Sequence, residues 1–165
     1  MNYENFNPRA FLLAQARELL TQAANAAMAD GSLPQAELPA FITEIPADRK
    51  NGDVASNMAM AGARAWHKAP KMIAEAILAH LPSLQGTCWN RAEVAGPGFI
   101  NLYTGADWLS TVVLAAATNP EYGRTNYGSG QKYNVEFVSA NPTGPMHMGN
   151  ARGGALGDCL AAVLD

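Results

Sequence analysis

Apolar residues fall at helical spacing from the start of the chain. Leu12, Ala16, Leu19, Ala23 and Ala27 form one stripe, with Leu13 and Leu20 beside them. Asn7 reads as the N-cap, Pro8 as the first helical residue and Gly31 as the stop. Pro34 and Pro39 mark an irregular stretch, after which residues 41–45 alternate as a strand does until Pro46, with a polar loop through Gly52. The next helix carries Met58, Ala61, Ala65 and Trp66, with Asp53 or Ser56 as its cap. Pro70 opens a third helix through Ile73, Ile77, Leu78 and Leu81, and Pro82 closes it. Residues 87–94 and 99–103 read as two strands of an antiparallel hairpin, joined by the turn-rich Ala-Gly-Pro-Gly at 95–98. A helix over 108–117, capped near Thr104 or Asp107, follows. The order α-β-α-α-β-β-α predicts an α+β domain over residues 1–118, a small antiparallel sheet with helices on one face.

From residue 119 the pattern changes. The stretch 119–132, rich in Gly, Asn and Tyr, reads as a linker. Residues 133–138 read as a short apolar strand and 151–164 as a Gly- and Ala-rich helix, a second unit over 133–165. There is no internal repeat.

Composition narrows the class. With 48% hydrophobic and 15% charged residues among 165, the chain can build a core and does not read as disordered. A net charge of −3 gives no support to an RNA partner and does not exclude one, because affinity depends on where cations cluster. Cys88 and Cys159 belong to no Cys-x-x-Cys or Cys/His cluster, so no structural zinc is predicted, and free thiols fit a reducing cytosol. The N-terminus lacks the pattern of a signal peptide, and no segment reaches the roughly 20 apolar residues of a membrane span. The expectation is a cytoplasmic protein.

The chemistry is concentrated in Val135-Glu136-Phe137-Val138-Ser139-Ala140-Asn141-Pro142-Thr143-Gly144-Pro145-Met146-His147-Met148-Gly149-Asn150. This reads as a strand, a loop with two prolines and two glycines, and a helix start. In open α/β sheets ligands bind beyond the carboxyl ends of the strands, and a helix N-terminus there offers free N–H groups to phosphate. Glycine lets a nucleotide approach the backbone, and His147 supplies a donor that can carry charge. The Gly-Ser-Gly at 128–130 precedes a strand instead of following one, so it is no dinucleotide fingerprint.

His147-Met148-Gly149-Asn150 resembles the HxGH motif of class I aminoacyl-tRNA synthetases. The flanking Ser-Ala-Asn-Pro-Thr-Gly-Pro and Ala-Arg-Gly-Gly-Ala-Leu-Gly-Asp resemble the arginyl family specifically. So do Gly52 to Met60 (GDVASNMAM) and Ala95 to Asn101 (AGPGFIN), so the resemblance spans nearly the whole chain. It implies an N-terminal tRNA-binding domain followed by the first β-α unit of a class I Rossmann-like catalytic domain. The implied activity is ligation of arginine to tRNA through an arginyl-adenylate, with ATP and Mg2+. Ala140 through Asn150 would be the signature stretch. His147, Gly149 and Asn150 would meet ATP, with His147 stabilising charge on the reacting phosphate. Ser139 and Asn141 would hold the polar head of arginine, and Glu136 would face its guanidinium, since a carboxylate accepts paired hydrogen bonds from that fork.

Two departures stand out. Asn150 replaces the second histidine; it can donate a hydrogen bond but carries no charge, which implies a retuned phosphate contact. The family's lysine signature loop is not in the chain, so a fragment inactive alone is expected, possessing open apolar faces in 133–165 that invite self-association. The alternatives are a stand-alone tRNA-binding module with a vestigial catalytic stub, or another HxGH nucleotidylyltransferase. The second is disfavoured because those enzymes carry the motif close to the N-terminus. Plainer readings hold elsewhere: Arg152 as a solvated cation, Gly153, Gly154 and Gly157 as positions of close helix–strand packing, Asp158 as structural, and Arg49 and Lys50 as a small basic loop.

Overall fold

The computed structural model describes residues 6–124, 128–141 and 143–164. It divides into two units, Met1–Arg124 and Thr125–Asp165. In the first, helix α1 spans Pro8–Ala29, and the Asn7 side chain accepts the Ala10 N–H at 3.0 Å. The predicted stripe is the buried one: Leu12, Ala16, Leu19, Leu20, Ala23 and Ala27 are all in the core. Strands β1 (Thr43–Glu44), β2 (Val54–Ser56), β3 (Trp89–Ala95) and β4 (Phe99–Thr104) form one antiparallel sheet in the order β1-β2-β4-β3. Helices α2 (Met58–Ala61), α3 (Ala63–Trp66), α4 (Pro70–Ala79) and α5 (Ala106–Thr118) complete the unit.

Cross-strand register explains which side of the sheet is inside. Val54 and Ala92 flank Leu102, while Ser56 and Val94 flank Ile100. Val54, Ile100 and Leu102 are fully buried, and α1, α2 and α4 pack against these strands. The intervening positions carry Arg91, Glu93 and Tyr103, which stay wholly or partly exposed. Trp89 shares their parity in sequence but is buried, because a bulge between Trp89 and Arg91 resets the alternation.

Several sequence-based boundaries need correction. The strand expected over 41–45 is paired only at Thr43–Glu44. Strand β2 has no counterpart in the sequence pattern: its three residues are all buried, so they show no alternation to detect. Gly52 brings the chain in, at φ +89° with Leu102 O only 2.8 Å from where a Cβ would stand. Asp53 is not a helix cap; its carboxylate accepts the Thr104 N–H at 2.8 Å and the Thr104 hydroxyl at 2.9 Å. Ser56 does accept the Met58 N–H, at 3.2 Å, from the end of β2. The single helix expected through Trp66 is two short ones broken at Gly62, where the Trp66 ring lies so close that a Cβ would meet it at 2.2 Å. Helix α5 starts after Gly105 with no side-chain cap, so neither Thr104 nor Asp107 serves there.

The second unit holds helix α6, Met148–Leu164, which begins three residues earlier than expected. Residues 133–138 form no strand, so the β-α unit is not present among the described residues. A parallel strand exists only through a ladder with neighbours, and none is offered. Instead Phe137 and Val138 fold back on α6. A Cβ at Gly157 would meet the Phe137 side chain at 2.1 Å, and one at Gly154 would meet Val138 Cγ2 at 3.0 Å. Val138 sits at φ +58°, a costly conformation for a β-branched residue. Gly154 and Gly157 pack closely against Val138 and Phe137, but not against a strand as expected, and Gly153 faces open space.

A charged clasp joins the C-terminal ends of α1 and α4. His80 Nε2 lies 2.5 Å from Asp30 Oδ2, and His80 Nδ1 lies 2.7 Å from Ala76 O. Asp30 is lowered from 3.8 to about 2, mainly by the Ser32 backbone N–H and then by His80. His80 is raised above 6.5, by the Ala76 carbonyl first and Asp30 second. The histidine contribution is complete below 6.5 and fades as pH rises through the higher folded value; the aspartate contribution is complete above 3.8 and fades as pH falls towards about 2. His80→Gln is therefore expected to cost the most stability between these limits. Thermal melts at about pH 5 and about pH 9 should show the gap from wild type shrinking at the higher pH; an equal gap at both would mean the clasp carries no charge.

Candidate functional site

The sequence concentrates its candidate residues in the second unit. His147 is the last residue before α6, and its carbonyl accepts the Asn150 N–H at 2.9 Å and the Ala151 N–H at 3.2 Å. Its imidazole folds back so that Nδ1 accepts the Gly149 N–H at 3.1 Å. In return Asn150 Oδ1 accepts the His147 backbone N–H at 3.3 Å. Gly149 makes the fold-back feasible: a Cβ there would stand 2.9 Å from His147 Cε1 and 3.0 Å from Nδ1. His147 and Gly149 are exposed and Asn150 half-buried, so the cap faces solvent.

The other candidates are not drawn into this cluster. Glu136, Ser139 and Asn141 are exposed and lie outside any helix or strand, and among the described residues no hydrogen bond links them to His147. Asn141 O accepts the Thr143 N–H at 2.8 Å. Ala140, Thr143, Gly144, Pro145, Met146 and Met148 are exposed, and Pro142 lies outside the described residues. No strand forms among residues 133–141, and these side chains are not gathered at the start of α6.

A second polar cluster, marked by no motif in the sequence, lies on the outward face of the sheet. The Arg91 guanidinium stacks 3.4 Å from the Tyr103 ring centroid and pairs with Glu93 at 2.5 Å. The Tyr103 hydroxyl bonds to Glu93 and, at 3.0 Å, to Lys50 O, which ties the 49–51 loop to the strands. The Tyr103 hydroxyl and then Arg91 hold Glu93 below the ordinary carboxylate range, and Glu93 pushes the phenol up. The alternation of Arg91, Glu93 and Tyr103 was the available signal. Lys50 is itself paired with Asp48 at 2.8 Å.

The description "Arginyl tRNA synthetase N terminal domain" names the family model that matches residues 14–104, which run from α1 to the end of β4. The match covers more than half of the chain. The chain belongs to the arginyl-tRNA synthetase N-terminal domain family. The arginine–tRNA ligase of Acetivibrio thermocellus is 46% identical over 152 residues, 92% of this chain and 27% of that protein. That of Moorella thermoacetica is 50% identical over 147 residues, 88% of this chain and 26% of its own length. A crystal structure of arginyl-tRNA synthetase from Plasmodium falciparum aligns with TM-score 0.46 and 20% identity, covering 87% of this chain and 27% of that one. The chain thus spans about a quarter of the length of the relatives it matches. A match taking in 152 of the 165 residues includes the whole stretch from Glu136 to Asn150.

Proposed function

We propose that this chain is the N-terminal part of an ATP-dependent arginine–tRNA ligase. The observation that carries the reading is the 46% identity over 152 residues to a protein of that name, a match that takes in the signature stretch as well as the family domain. In the reaction proposed, a carboxylate oxygen of arginine attacks the α-phosphorus of magnesium ATP. The bond to the bridging oxygen breaks, pyrophosphate leaves, and the arginyl-adenylate remains. A ribose hydroxyl of tRNA then displaces AMP. The first step needs alignment and charge stabilisation more than proton transfer.

His147 is assigned the charge-stabilising contact, from the solvent-facing mouth of α6, where helix N–H groups and dipole also favour phosphate. Ser139 and Asn141 are assigned the polar head of arginine and Glu136 its guanidinium, once the rest of a parallel sheet aligns the 133–141 segment. The first unit is assigned to tRNA, with the Arg49–Asn51 loop held by Tyr103 as a contact. A cytoplasmic location follows from the same reading.

Arginine-dependent exchange of pyrophosphate into ATP, measured with tRNA, tests the reading. The complete ligase is expected to be active and the 165 residues alone silent, because they contain one of the two class I signatures. A complete protein that activates another amino acid, or none, would overturn it. Glu136→Gln in the complete ligase is expected to raise the KM for arginine by about 10- to 100-fold, the worth of a hydrogen bond to a charged group, with the KM for ATP unchanged. Equal shifts in both constants would make Glu136 a structural residue.

A further inference from the structure

We propose that Asn150 is a positioning residue whose reciprocal cap with His147 holds the imidazole at the start of α6 as an Nε2–H donor. Two contacts carry this: Asn150 Oδ1 on the His147 backbone N–H at 3.3 Å, and His147 Nδ1 on the Gly149 N–H at 3.1 Å. An imidazole nitrogen that accepts an N–H must keep its lone pair, so the neutral ring carries its proton on Nε2. The arrangement is a variant of the capping box: the side chain of the third helical residue, Asn150, accepts the N–H of the residue before the helix, whose own side chain accepts the N–H of the second helical residue, Gly149. Histidine and asparagine take the places usually held by serine and glutamate. The motif's residues then have separate tasks. His147 presents the donor, Gly149 leaves the space its ring occupies, and Asn150 fixes the backbone from which the ring turns.

This gives the asparagine a physical role that does not need the charge of the histidine it replaces. Its carbonyl oxygen is engaged in the cap, so the acceptor end of the amide is what matters. What the Nε2–H donor meets rests on the ligase reading above; the cap itself does not.

The test uses the 165-residue chain labelled with 15N-histidine, at about pH 9, where imidazoles are neutral. Two-bond proton–nitrogen correlations read the His147 tautomer, and hydrogen exchange reads its backbone amide. Wild type is expected to show the Nε2–H form. Asn150→Ala keeps the best helix former at the site and removes only the cap, so the His147 amide should exchange about fivefold faster and the tautomers should mix. Asn150→Asp retains the acceptor without the NH2 donor and should keep both wild-type signatures. Gly149→Ala should mix the tautomers by pushing the ring away while leaving the His147 amide protected. Mixed tautomers in wild type, unchanged exchange in Asn150→Ala, or an Asn150→Asp chain that behaves like Asn150→Ala would each overturn the proposal. Failure of the ligase reading would appear in pyrophosphate exchange and leave these spectra untouched.

Discussion

Replacing His147 by alanine in the complete ligase is expected to slow arginyl-adenylate formation by about a hundredfold or more, the usual cost of losing one preorganised donor to developing charge. The reason is local. His147 stands at the opening of α6 with its ring anchored through Nδ1, so its remaining nitrogen is an oriented donor. Its side chain is exposed, so the variant should still fold, with a loss of about 1 kcal/mol from the missing cap on α6. The loss should fall on the rate of the chemical step, because a contact that strengthens as charge develops acts on the transition state. Single-turnover measurements of adenylate formation, beside a melting curve, would check both halves. A near-unchanged rate would remove His147 from the mechanism, and a large loss of stability would make its role structural.

Trp66→Ala is expected to destabilise the first unit by about 3–5 kcal/mol, the range for removing a large aromatic from a core. Trp66 is fully buried, and its indole N–H points at Met28 Sδ, 3.4 Å away. It therefore ties α3 to the end of α1. Gly62 is the complementary position, since a Cβ there would stand 2.2 Å from ring atoms Cε3 and Cζ3. Gly62→Ala alone should cost about 1–3 kcal/mol through overpacking. In the double variant the added methyl enters space the indole has left, so the two costs should fall short of their sum. Denaturant unfolding of the four proteins would decide this. Strict additivity would show that the ring and the glycine are not partners.

Most of the first unit was legible before any coordinates. Asn7, Pro8 and the Leu12–Ala27 stripe act through contacts only a few residues apart, so pattern and capping chemistry suffice. The hairpin of β3 and β4 was visible for the same reason, its turn lying in the sequence between its strands. Strand β2 was not, because Val54–Ser56 is a strand only through its pairing with β1 on one side and with β4, some 45 residues on, on the other. Burial on both faces erased the alternation that marks a strand. The break at Gly62 was equally hidden, since it depends on where one indole packs.

The candidate site divides along the same line. The residue types from Glu136 to Asn150, and so the family and the chemistry they point to, belong to the sequence alone. That Asn150 caps His147, and that Gly149 is the space the imidazole fills, is a matter of three-dimensional placement. No spacing rule distinguishes an asparagine that meets phosphate from one that turns back on its own helix. The strand expected over 133–138 marks the opposite limit. A β pattern becomes a strand only when neighbouring backbone completes its hydrogen bonds, and that requirement is met by tertiary structure, never by the segment itself.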